Sequence, residues 1–148
     1  MTLGRKILVA VLAVVVIIQF IRPERNISKS EGPNEIQTKY QVPPEVLSIL
    51  KQSCYDCHSN NTNYPWYANV QPVGWWIQRS HVNDGKRHLN FSEYATYAEK
   101  KAKHKFEEIA DEVKSGGMPL SSYTWMHHSA VLSPEQAKTL VDWAESLK

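Results

Sequence analysis

The residues of this sequence that could carry chemistry lie close together, at Cys54, Cys57 and His58. They form a C-x-x-C-H motif that contains both cysteines of the 148-residue chain. Cysteines three positions apart lie on the same side of a helical turn, so both sulfurs can reach the two vinyl groups at one edge of a porphyrin. The adjoining imidazole can then turn toward the iron. The motif therefore indicates c-type attachment of one haem, held covalently through Cys54 and Cys57.

Other interpretations of the two cysteines have less support in the sequence. A thioredoxin-like dithiol is expected in a βαβ setting, and the chain has no alternating strand pattern. A plain disulfide would leave His58 unexplained. A zinc site needs further ligands, and no finger-like pair spacing is present among the remaining histidines, which are His81, His88, His104, His127 and His128. No spare cysteine exists, so these interpretations exclude one another.

The segment GGMPL supplies a candidate for the second axial ligand of the iron, Met118. The preceding glycines let the backbone pass close to a ring, and Pro119 stiffens the loop. Met126 and the remaining histidines, His127 among them, are rival ligands, and an open coordination position is a further alternative. With His58 and Met118 as metal ligands, the site would favour ferrous iron and suit electron transfer. An open position would instead point to gas sensing or to peroxidase chemistry.

Aromatic residues flank both the motif and the Met118 loop and are expected to form the wall of the haem pocket. We predict that Trp66 and Tyr67 contact the cofactor. The other members of this group are Tyr64, Trp75, Trp76, Tyr123 and Trp125.

The elements that must position these residues read as helices. Pro43 and Pro44 precede a first helix that carries the motif, and a second is predicted from Pro72 to Val82, before a turn in NDGKRHLN. A third helical region is expected from Ser92 to about Ser115, either continuous or broken near Lys100, and Gly116 and Gly117 end it. MPLSSYTWMHHSAVL is expected to be extended or loop. The last helix begins with Ser133 as cap, Pro134 at its first position and Gln136 at the capping-box position. Residues 43–148 are therefore predicted to be an all-α, cytochrome-c-like domain wrapped around the haem.

An apolar run from Ile7 to Ile21 follows Arg5 and Lys6. Bulky and charged residues come after it instead of a small-residue cleavage site, which favours an uncleaved anchor over a signal peptide. The run is short, at about 22 Å of helix. We predict a single transmembrane helix in residues 1–22 and a flexible linker in residues 23–42.

The flanking charges weakly place the N-terminus in the cytoplasm. Covalent haem attachment in bacteria takes place outside the cytoplasmic membrane, which agrees with that orientation. The predicted location is therefore the bacterial inner membrane, with a single pass and the domain in the periplasm.

The formal net charge of +2 does not indicate a nucleic-acid partner. Basic and acidic residues balance from Arg22 onward, and no basic face is evident. The expected partners are redox proteins of the periplasm, together with the membrane through the N-terminal anchor.

From about Pro43 to the end, the chain resembles the small haem-binding domain family of bacterial cytochrome-c-like proteins. The resemblance is carried by CYDCHSNNTNYPWYANVQPVGWW, HLNFSEY, GGMPL..Y and H..A.LS......L..W. It implies a covalent haem on Cys54 and Cys57, with His58 as proximal and Met118 as distal ligand. His127 matches a histidine that recurs in the family, although His128 stands where proline is frequent.

Together these observations predict a membrane-tethered periplasmic monohaem cytochrome that transfers electrons and transforms no substrate. The alternatives are a haem-based sensor or ligand-binding module with a labile distal ligand, and a peroxidase.

Overall fold

A computed structural model describes residues 2–28 and 31–148 of the protein. Within those residues every regular element is helical, and one isolated bridge joins Ile27 to Asn61. The α-helices are α1 (Leu3–Ile18), α2 (Pro44–Ser53), α3 (Tyr55–His58), α4 (Val73–Ile77), α5 (Asp84–His88), α6 (Glu99–Ser115), α7 (Ser121–Thr124) and α8 (Pro134–Glu145). Short 3-10 helices lie at Ile36–Thr38, Trp66–Asn69, Phe91–Thr96 and His128–Ala130. The prediction of an all-α fold is confirmed.

The hydrophobic core forms where α6 and α8 pack against each other and α8 packs against α2. Phe106 of α6 meets the ring of Trp143 in α8 edge to face, with centroids 5.4 Å apart. Leu50 of α2 and Leu140 of α8 are fully buried beside them. Because α2 is packed into this core, the position of the motif at its C-terminal end is fixed.

The helix ends follow local signals in the sequence. The side chain of Ser133 accepts a hydrogen bond from the backbone nitrogen of Gln136 at 3.2 Å, and Gln136 returns one to the Ser133 nitrogen at 2.9 Å. This capping box satisfies backbone donors at the start of α8. Gly116 ends α6 with a φ of 73°, a left-handed conformation that glycine adopts without strain. Both predicted helix ends are confirmed.

The second predicted helix continues beyond its expected end. It consists of α4, a π-helical segment at Gln78–Asn83, and α5, so the helical path reaches His88. The turn predicted in NDGKRHLN is therefore wrong over residues 83–88. The Asn-Asp-Gly sequence is typical of a turn, but here Gly85 provides close contact with the motif rather than a change of direction.

Two further segments differ from their predictions. Ser92 does not begin a long helix, because Asn90 caps a 3-10 helix at Phe91–Thr96 by accepting a hydrogen bond from the Ser92 nitrogen at 3.0 Å. The α-helix α6 begins only at Glu99. The segment predicted as extended or loop after Gly117 contains α7 and the 3-10 helix at His128–Ala130.

The N-terminal prediction requires a correction. Helix α1 has 16 residues, which corresponds to about 24 Å, whereas the hydrocarbon core of a bilayer is about 30 Å thick. Among residues 2–28 and 31–148, no helix combines the length and the apolar character needed to span a membrane. The predictions of an N-terminal transmembrane helix and of a single-pass protein of the bacterial inner membrane are therefore wrong.

The chain after α1 is hydrogen-bonded to the helical body. The Gln19 side chain donates to the carbonyl of Gln71 at 3.1 Å and accepts from its nitrogen at 2.8 Å. The Trp75 indole donates to the Ile21 carbonyl at 2.7 Å, and Ile36 is fully buried in the core. Residues 29 and 30 of the proposed linker lie outside the described residues, and the division at residues 22 and 42 stays a prediction.

Candidate functional site

The motif residues are presented by one helical turn at the junction of α2 and α3. The backbone nitrogen of Cys54 donates to the Leu50 carbonyl at 2.9 Å and so continues the ladder of α2. The nitrogens of Cys57 and His58 both donate to the Cys54 carbonyl, at 3.2 and 2.9 Å. This turn brings all three side chains to the same cavity.

That cavity consists of two adjoining compartments of ≈ 480 and ≈ 130 Å³, which we call the central cavity. Cys54, His58 and Met118 line both compartments, and Cys57 lines the smaller one. The larger compartment alone falls within the size range of cofactor sites. Four of the predicted cofactor-binding residues thus meet at one place, although Met118 lies 60 positions after His58 in the sequence.

The imidazole of His58 is held in one orientation and one tautomer. Its Nδ1 atom lies 3.0 Å from the carbonyl oxygen of Gly85 and 3.1 Å from that of Leu89. Carbonyl oxygens only accept, so Nδ1 carries the proton and donates. Burial lowers the pKa of His58 and favours the neutral ring. The Nε2 atom is therefore the unprotonated nitrogen, with a lone pair that can bind a metal.

Gly85 allows α5 to approach the motif closely. A Cβ atom at this position would lie 2.7 Å from the Cys57 carbonyl oxygen and 3.1 Å from the Cys57 Cβ. No larger residue fits without movement of one backbone or the other. The sequence interpretation placed Gly85 in a turn and missed this role, which depends on a contact between distant segments.

The two thiols are protonated at neutral pH. Burial, with a smaller contribution from the neighbouring Cys57, raises the pKa of Cys54 to about 12. Burial and the charge of Asp56 raise the pKa of Cys57 to about 11. A thiolate is the form that attacks disulfides, so these environments argue against the dithiol interpretation. For the zinc interpretation, no group of three or more His, Cys, Asp or Glu side chains in the described part of the chain could hold a metal ion.

Met118 reaches the cavity from the opposite part of the fold. It follows the end of α6 at Gly116, and its backbone nitrogen donates to the Glu112 carbonyl at 3.1 Å. Met118 lines the cavity, whereas Met126 and His127 do not, and two of the other candidate histidines, His81 and His88, line it as well. Met126 is 49 % exposed, and the His127 Nε2 atom lies 2.6 Å from the Tyr67 hydroxyl.

The wall of the larger compartment combines aliphatic residues with the ionisable residues Asp84, Lys105, Glu108 and Glu112. It contains one aromatic residue, Phe91, among residues from α6, α8 and the connecting segments, namely Leu89, Ile109, Val113, Leu120, Leu132 and Leu140. An apolar wall, two thiols, an imidazole nitrogen and a thioether together suit a large apolar ring with a metal at its centre.

Comparison with known families agrees with this donor set. A family model described as a haem-binding domain matches residues 13–146. The chain belongs to the haem-binding domain family. No curated protein and no solved structure gives a significant match. Haem is therefore the cofactor of this haem-binding domain, and the family predicted from the sequence is confirmed.

The remaining predicted cofactor contacts lie away from the central cavity of the haem-binding domain. Trp66 is 77 % exposed and packs edge to face on Tyr67, and neither residue lines the cavity. Tyr123 is the member of the predicted aromatic wall that does line it. His81 and His88 also line the cavity, which places two further imidazoles at the candidate haem site. The sequence interpretation missed the aliphatic wall because it gave most weight to the aromatic residues, although the apolar faces of the helices were visible.

Proposed function

We propose that the protein is a monohaem c-type cytochrome that transfers electrons, with its iron held by His58 and Met118. The observation that supports this most directly is the meeting of Cys54, Cys57, His58 and Met118 at one apolar cavity. When bound, haem supplies a one-electron couple at its iron. In this proposal each thiol adds its sulfur and its hydrogen across one vinyl double bond, so the attachment needs no oxidant.

The chain's own residues account for a site suited to electron transfer. The Gly85 and Leu89 carbonyls hold His58 in the tautomer that can bind iron, which avoids reorganisation of this ligand between oxidation states. Met118 would provide a thioether, which favours the ferrous form and raises the reduction potential. With His58 and Met118 both bound to the iron, no position on it would be left for a substrate. The expected partners are redox proteins that bind through small, transient interfaces.

The covalent attachment and the distal ligand can be tested on one preparation. The protein is produced in a host that performs cytochrome c maturation, unfolded, and weighed by mass spectrometry. We expect the mass of the polypeptide plus one haem, and in the native ferric protein a near-infrared band from methionine ligation. Met118→Ala should abolish that band, whereas Met126→Ala, a matched change at a half-exposed methionine outside the cavity, should leave it. A band that survives in Met118→Ala rules out Met118 as the ligand.

Electron transfer is separated from sensing and from peroxidase activity by two measurements. A reversible one-electron redox titration, with slow and weak binding of carbon monoxide to the reduced protein, is expected from an iron with two protein ligands. Rapid, tight binding of carbon monoxide would favour the sensor, and turnover of peroxide would favour the peroxidase.

A further inference from the structure

A hydrogen bond joins the segment that carries Met118 to the C-x-x-C-H motif. The hydroxyl of Tyr123 donates to the Oδ2 atom of Asp56 at 2.7 Å. Asp56 lies between the two cysteines in the sequence. Tyr123 lies on α7, which follows Met118 in the chain. This contact therefore links the two parts of the chain that provide the proposed ligands on the two sides of the iron.

Asp56 is held firmly enough to act as the fixed end of this link. Its Oδ1 atom accepts from the backbone nitrogen of Asn63 at 3.1 Å, and its backbone carbonyl accepts from the Thr62 hydroxyl at 2.7 Å. With one carboxylate oxygen occupied by Asn63, the other is directed to Tyr123. The carboxylate is thus fixed by the loop that follows the motif.

Tyr123 is held from its other face. Its ring stacks on the imidazole of His127 with centroids 4.2 Å apart and planes 13° apart. The Tyr67 hydroxyl in turn contacts His127 Nε2 at 2.6 Å. The backbone nitrogen of Tyr123 donates to the Leu120 carbonyl at 3.0 Å, which ties it to the residues just after Met118. Tyr123 also lines the central cavity with Met118.

The other end of the Met118 segment is attached to α6 and not to the motif. Gly116 and Gly117 precede it, and a Cβ atom at Gly116 would meet nothing within 4 Å. The backbone bond from Met118 to Glu112 anchors this end to α6, but it does not reach the motif. The Tyr123–Asp56 bond is the direct side-chain connection between the segment and the motif.

We infer that Tyr123 is a positioning residue whose hydrogen bond to Asp56 holds the Met118 segment against the motif and so determines how readily Met118 leaves the iron. This inference rests on the proposed function, because it takes Met118 as the distal ligand. The loss of one hydrogen bond to a charged acceptor corresponds to a change of about tenfold or more in an equilibrium or rate.

The test is displacement of the methionine by added imidazole in the ferric holoprotein, followed through the near-infrared band. Tyr123→Phe removes only the donating hydroxyl and keeps the ring that stacks on His127. We expect the band to be present without imidazole and displacement to be about tenfold faster or more than in the wild type. Asp56→Asn keeps an acceptor oxygen without the charge. Its rate of methionine displacement should lie between those of the wild type and Tyr123→Phe.

Tyr94→Phe is the matched control. Its hydroxyl donates to the Ala102 carbonyl at 2.9 Å in the core, away from the cavity, so its loss should lower stability without changing displacement. Wild-type displacement rates in both Tyr123→Phe and Asp56→Asn, with the band intact, would overturn the inference and leave the proposed function standing. Absence of the band from the wild-type protein would overturn both. If Tyr123→Phe does not fold, Asp56→Ala, which removes the acceptor, takes its place, and a wild-type rate in that variant rejects the link.

Discussion

A Cβ atom on Gly85 would lie 2.7 Å from the carbonyl oxygen of Cys57, so α5 touches the backbone of the C-x-x-C-H motif at this glycine. The Gly85 carbonyl also accepts from Nδ1 of His58 at 3.0 Å. One residue therefore sets both the distance between α5 and the motif and the orientation of the imidazole.

Gly85→Ala is expected to disturb both features. The added methyl group must push α5 away from Cys57, and overpacking of this kind costs about 1–3 kcal/mol. Movement of α5 also withdraws the carbonyl from His58, so we expect less haem per polypeptide as well as a lower unfolding temperature. Thermal unfolding and the ratio of haem to protein absorbance measure the two effects.

Gly32→Ala is the control for this change, because a Cβ atom there would meet nothing within 4 Å. It should leave both quantities unchanged. A Gly85→Ala protein with normal stability and a full complement of haem would show that the close approach of α5 is dispensable.

Asn26 connects the N-terminal segment to the loop that follows the motif and to α5. Its Nδ2 donates to the Ser59 carbonyl at 2.8 Å and to the Thr62 hydroxyl at 2.9 Å, and its Oδ1 accepts from Lys86 of α5 at 2.5 Å. Asn26→Ala removes three hydrogen bonds, each worth about 1 kcal/mol, so a loss of roughly 2–3 kcal/mol in the free energy of unfolding is expected. Chemical denaturation measures it.

Asn69→Ala serves as the matched change in the same neighbourhood. Asn69 is exposed and accepts from Arg25 at the surface, where such contacts contribute little. We expect a change in the free energy of unfolding of less than about 1 kcal/mol. Equal effects of the two substitutions would mean that Asn26 is no more important than a surface residue.

The features that sequence analysis predicted correctly are those with local causes. The capping box of Ser133 and Gln136 and the stop at Gly116 depend on residues a few positions apart, so their chemistry can be read directly from the chain. The C-x-x-C-H spacing is also local, and it led to the correct family.

The features that were missed depend on contacts between distant segments. Gly85 lies in a turn-like sequence but is required for its approach to Cys57, and Ile36 is fully buried although its neighbours read as a polar linker. Trp66 is exposed and does not line the cavity, and its predicted contact with the cofactor stays a prediction. The apolar run at the N-terminus has the composition of a membrane segment, but the helix that it forms is too short to span a membrane.

Membership of the haem-binding domain family shows that haem binds, whereas the cysteine variants test how it is attached. Cys54 and Cys57 line the same cavity as protonated thiols, and each is proposed to form one thioether bond. Cys54→Ala and Cys57→Ala should each keep haem through acidified acetone extraction, because one bond remains. Their alkaline pyridine spectra should shift as expected for one unreacted vinyl group.

The variant that combines Cys54→Ala with Cys57→Ala should still bind haem through His58, Met118 and the aliphatic wall, but it should release the haem on extraction. Substitution of Ala for Ser53, which lines the cavity beside Cys54 without a reactive sulfur, is the control and should behave as the wild type. Haem that is extracted from the wild-type protein, after expression in a host that performs the attachment, would contradict covalent binding while leaving haem binding itself intact. Extraction therefore distinguishes the part of the function that the family establishes from the part that the geometry of Cys54 and Cys57 supports.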